Sequence, residues 1–151
     1  MFFINTGFTY ILFCVIIIKK IARFTMNIEQ KKLQGIINSS TVKRYKNFIN
    51  TVVDTEMVWL LDGGDGYCTV DDENGINIIV YPTKEFADLF SFGAKPVMMD
   101  IHEFCEQCKE MFDEENIAFA VSPNEQDAMQ VSPQMLYNDL LDALREIEDI
   151  D

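Results

Sequence analysis

The sequence is short of positive charge and of reactive side chains, and each shortage removes a class of function. Twelve residues are Lys or Arg against twenty-five Asp or Glu, a formal net charge of −13. Three of the twelve, Lys19, Lys20 and Arg23, precede Met26, and the first acid is Glu29, so the remainder holds nine bases against twenty-five acids. Such a surface repels phosphates and excludes nucleic acid as a partner. The small basic cluster Lys43, Arg44 and Lys46 does not reverse this, and its spacing predicts a solvated helix face.

Histidine occurs once, as His102, so any Ser-His-Asp or Cys-His machinery must pass through it, and no nucleophile-elbow sequence accompanies it. Walker lysine spacing, a Gly-x-Gly-x-x-Gly run and an EF-hand loop are also missing. Gly63-Gly-Asp-Gly66 therefore reads as a hairpin turn, and Asp62, Asp65, Asp71, Asp72 and Glu73 as acid-rich turns. The four cysteines, at 14, 68, 105 and 108, lack the dense, regular spacing of a disulfide scaffold, which points to a reducing compartment. There is no internal repeat and no low-complexity linker, and the length suits one domain.

What is present divides into two parts. Residues 1–25 form an apolar N-terminal segment, uncharged up to Ile18 and then followed by Lys19-Lys20 and Arg23. At about 18 residues the apolar run just reaches the span of a bilayer core. The charge follows the apolar run, unlike a cleavable secretory signal. Two readings stand side by side. Residues 1–24 are a single-pass inner-membrane anchor with the C-terminal domain in the cytoplasm, or translation starts at Met26 and the protein is cytoplasmic.

Residues 26–151 read as a single acidic α+β domain. Val42, Tyr45, Ile49, Val52 and Val53 recur at helical spacing behind Ser39 or Ser40 as cap, and Asn27 to Asn38 suits a weaker turn or helix. Glu56–Leu61, Tyr67–Val70 and Ile76–Tyr81 read as strands of a three-stranded meander, with Asn74-Gly75 supplying a turn. Thr83 caps a short helix carrying Phe86, Leu89 and Phe90, and Pro96–Met99 is extended. Asp100 opens a helix with Phe104, Cys105, Cys108, Met111 and Phe112 on one face. Ile117–Val121 and Met129–Val131 are strands, and Ser132-Pro133 starts a last helix lined by Leu136, Leu140, Leu141, Leu144 and Ile147. The expected order is α-β-β-β-α-β-α-β-β-α, a largely antiparallel sheet covered on one side by helices.

Several short motifs in this order resemble a known family: Asp54-Thr-Glu-Met-Val-Trp59, Tyr81-Pro-Thr-Lys-Glu-Phe-Ala-Asp-Leu89, Asp100-Ile-His-Glu-Phe104, and Val131-Ser-Pro followed by Leu136 and Asp139-Leu-Leu. From Tyr45 to the C-terminus the chain is similar to the bacterial domain of unknown function 2750. The resemblance implies a small cytoplasmic α+β domain with no assigned activity, and it carries over no functional residue.

The candidate chemistry is sparse. His102, Cys105 and Cys108 share one helical flank and, with Cys68, are the weak candidates for a metal site; no metal, cofactor or catalytic residue is assigned. Core packing is the preferred reading of the two helix thiols, because a reactive Cys belongs at a helix N-terminus. Trp59, Tyr81 and Phe86 are expected in the core, or, if one sheet face lies open, as the floor of a ligand or partner surface. The leading functional expectation is a non-enzymatic interaction domain whose acidic surface meets a basic protein partner, with a toxin-neutralising, immunity-like role as one version. The alternative is a small-ligand or carboxylate-based enzyme domain around Trp59 and Tyr81.

Overall fold

The computed structural model describes residues 14–18 and 27–150; residues 1–13, 19–26 and 151 lie outside the described residues, and with them most of the apolar N-terminal segment. No helix among the described residues is long and apolar enough to cross a membrane. By its contacts the chain separates into one unit up to Gly35 and a larger one from Ile36 onward. Residues 14–18 are helical, and α1 (Ile28–Ile37) runs across the boundary.

The long helices begin where polar caps permit. α2 (Thr41–Thr55) starts after Ser40, whose hydroxyl accepts from Lys43 N. α5 (Pro133–Glu148) starts after Ser132, which accepts from Met135 N, with Pro133 in the first turn. Both hydroxyls satisfy amides that a helix start leaves without a carbonyl partner. α3 (Lys84–Leu89) is capped by Thr83 and α4 (Ile101–Glu110) by Asp100.

The strands are β1 (Met57–Asp62), β2 (Thr69–Asp72), β3 (Gly75–Tyr81), β4 (Lys95–Asp100), β5 (Ile117–Val121) and β6 (Met129–Val131). They form one sheet in the order β4-β1-β3-β5-β6, with β2 also paired to β3. The α+β class holds, but the sheet is mixed: β3 and β5 are parallel, Ile78 opposite Phe119 and Val80 opposite Val121. The chain leaves β3, passes through α3, β4 and α4, and re-enters beside it in the same direction. Such a crossover is what parallel pairing requires.

The expected meander is corrected too. β1 has β4 on one edge and β3 on the other, so no edge remains for β2. Instead β2 continues the line of β1 along β3: Trp59 and Leu60 face Tyr81 and Val80, and Thr69 and Val70 face Ile78 and Asn77. Gly63–Gly66 is a side excursion, closed by Gly63 N donating to Gly66 O at 2.9 Å and Cys68 N donating to Leu61 O at 2.7 Å. From residue 27 onward the element order therefore differs from the expected ten by one helix, α1, where the sequence allowed only a weaker turn or helix.

Strand alternation sorts the side chains. Val58, Leu60, Val80, Met99, Phe119, Val121 and Val131 face the main core with the buried stripes of α2, α4 and α5. Trp59, Leu61, Ile79 and Tyr81 alternate with them and face the other way, where the short α3 lies against β1, β3 and β4. Helices thus cover both faces.

Candidate functional site

Tyr81 and Phe86 are each 1 % exposed, and Trp59 is half-buried. Tyr81 lies 5.0 Å from Phe86 and 6.2 Å from Phe90, ring centre to ring centre, under α3. Its hydroxyl donates to Pro123 O at 3.0 Å, and burial raises its pKa above the ordinary phenol value. Full burial of such a ring is worth about 2 to 3 kcal/mol. Tyr81 and Phe86 accordingly serve as the second core and form no surface floor.

The sulfur and imidazole groups of α4 point to different surroundings. His102 is exposed at the first turn, while Cys105 and Cys108 are buried against the core. Burial pushes the Cys105 thiol up and the Cys108 thiol up to about 12. Neither is a thiolate near neutral pH, so neither is prepared as a nucleophile. Cys68 sits just before β2, past the Gly63–Gly66 excursion, with its carbonyl accepting from Ile79 N of β3. Among the described residues, no group of three or more His, Cys, Asp or Glu is placed to hold a metal ion.

The most demanding polar arrangement surrounds Arg44, which is 1 % exposed and so departs from the expected solvated basic face, while Lys43 and Lys46 are exposed as expected. Its Nε donates to Ser122 O at 3.0 Å, Nη1 to Ser39 O at 2.6 Å, and Nη2 to Asp127 O at 3.0 Å and to the Asp127 carboxylate. Asn124 fixes the same loop: its side chain donates to Ile37 O and accepts from Gln126 N and Asp127 N. One guanidinium fork thereby ties the start of α2 to the β5–β6 loop. Each of its three nitrogens donates within the fold, so Arg44 is a structural clamp.

Two grooves flank α5. One, of about 490 Å3, lies between α4 and α5, with Cys105, Tyr137, Leu141 and Leu144 as apolar lining and Glu103, Glu106 and Glu148 beside Arg145 and His102. Lys109 stands over the Tyr137 ring at 5.4 Å and pairs with Glu106. The other, of about 500 Å3, lies between α2 and α5, with Val53, Ala143, Ile147 and Ile150 as apolar lining and Asp54 and Glu146 as its charged groups. Earlier along the two helices, the Tyr45 hydroxyl donates to Asp139 Oδ2 at 2.5 Å and joins them. Of these groove residues only His102 and Cys105 were singled out from sequence, and as metal candidates, not as groove lining. The available signal was the apolar stripe of α5, which runs on to Ile147, with Ile150 just past the helix end, while the fully buried part stops at Leu140.

A family model described as a protein of unknown function (DUF2750) matches residues 45–140. The matched region holds α2 from Tyr45, the whole sheet, α3, α4 and the first half of α5. No curated protein and no solved structure matches the chain.

Proposed function

Because the chain belongs to the DUF2750 family, whose description assigns no activity, we propose from the chain's own chemistry that it is a non-catalytic binding domain whose acidic surface engages a basic protein partner. The carrying observation is the charge distribution. Of the nine bases after Met26, Arg44 is buried and tied to Asp127, and Lys84, Lys109 and Arg145 are matched to Asp88, Glu106 and Asp142. The carboxylates are left in large excess on the outside, which speeds encounter with a cationic surface and rejects an anionic one.

The chemistry of the remaining groups supports the same reading. The two helix thiols are held protonated, and Tyr81 and Phe86 are packed away from solvent. A cytoplasmic setting goes with it, since all four cysteines are free and reducing conditions keep thiols so.

Affinity capture from native lysate, washed at low and then at high ionic strength, tests the class. A basic protein retained at low salt and released at high salt is the expected result, because exposed charge pairs are screened within a Debye length of about 10 Å at 0.1 M salt. Capture of no enriched protein at any salt counts against the binding role.

A further inference from the structure

We propose that the groove between α2 and α5 seats a basic amphipathic helix of the protein partner. The inference rests on the acidic-surface reading above and gives that reading a site. Its floor is apolar, from Val53, Ala143 and Ile147, and its charged lining is Asp54 and Glu146 with no Lys, Arg or His. Lys46, the α2 base nearest to Asn50 in sequence, is not among the lining residues.

The apolar stripe of α5 outruns the core. Leu136 and Leu140 are buried, whereas Ile147 is 46 % exposed and Ile150 84 % exposed. Two isoleucines continuing a core stripe into solvent, with carboxylates alongside, are the surface that an apolar helix face covers. A third helix laid there buries Ile147 and Ile150, and places Lys or Arg three and four residues from its apolar anchors opposite Asp54 and Glu146. The α4–α5 groove is less suited to a cation, because Arg145 lines it and Lys109 stands beside Tyr137. The α5 side of the chosen groove, from Ala143 onward, also lies past residue 140, where the family match ends.

The test uses a synthetic peptide of about 16 residues, with Leu at i, i+3, i+4 and i+7 and Lys elsewhere, titrated into isotope-labelled full chain. Amide shifts concentrated at Thr51, Asp54, Ala143 and Ile147 are expected. Ile147→Ser weakens binding by about tenfold, as loss of a central apolar anchor does. Asp54→Asn with Glu146→Gln weakens it comparably and flattens its salt dependence, while Asp113→Asn with Glu114→Gln, an equal charge loss elsewhere, changes it less than about twofold. Binding that spreads over other acids, or that suffers as much from the Asp113 and Glu114 pair, overturns the groove and leaves the acidic-surface reading intact. No binding even at low ionic strength overturns both. A dimer of the unliganded chain that Ile147→Ser dissociates makes a second copy the occupant and also overturns the assignment.

Discussion

Arg44 carries the largest single-residue consequence. Replacing it with Met removes the charge but leaves the carbonyls of Ser39, Ser122 and Asp127 without their donor. We expect a loss of about 3 kcal/mol in urea unfolding. Arg44→Lys recovers little, because an ammonium cannot reach three directions at once. Asp127→Asn costs less than about 1 kcal/mol, since Asp127 is 54 % exposed and its carboxylate is screened. None of this was legible in the sequence, where Arg44 stands between Lys43 and Tyr45 like any surface base. Its partners are main-chain oxygens, which no residue pattern announces. Cys108 was legible, because its helical spacing with Phe104 and Met111 put it on the core side. Its raised pKa fixes a pH dependence. The folded state keeps the proton up to about 12, and the unfolded thiol loses it from about 9. Stability is therefore complete below pH 9 and falls above it, by up to about 1.4 kcal/mol per pH unit. Cys108→Ala flattens that alkaline slope in unfolding midpoints measured across pH 8 to 11, roughly the window the shift defines.

At the level of elements, the caps and the β2–β3 and β5–β6 neighbours were read correctly, whereas the place of β1 and the parallel β3–β5 pair were not. Ser40, Thr83, Asp100 and Ser132 each cap the helix that their position in the sequence predicts, because capping depends on residues within a turn of one another. Pairing depends on distant residues: alternation in β3 and β5 says which side chains are buried, but is the same whether the strands run together or opposed. Gly75 is where this long-range choice meets a local constraint. Its φ is 137, and a Cβ there would collide with the carbonyl of Asn116, which accepts from Ile76 N at 2.8 Å at the head of the β3–β5 pair. Gly75→Ala combines a backbone strain with that clash, and we expect a loss of about 2 to 4 kcal/mol in urea unfolding. The same substitution leaves the far end of the sheet, β1 with β4, unaltered in amide chemical shifts.

For the whole molecule, the charge excess that the composition announced has a direct thermodynamic reading. Like charges spread over one small domain repel most when salt is lowest. Thermal midpoints should therefore rise as sodium chloride is raised from about 10 mM to about 0.5 M; a midpoint that falls removes self-repulsion from the account. Burial was foreseen for the aromatic side of the sheet as the first of two readings, yet no residue pattern measures how completely α3, only Lys84–Leu89 long, would shield it. The grooves beside α5 escaped notice because a stripe of leucine and isoleucine looks alike whether the core reaches all of it or half. The in-line arrangement of β1 and β2 has a practical consequence. Since the backbone rejoins the same edge of β3 on either side of residues 63–66, whose neck is cinched by hydrogen bonds, this detour is decoupled from the ladder. Extra residues placed between Gly64 and Asp65 should leave the fold intact, making that tip a natural place to graft a tag or reporter.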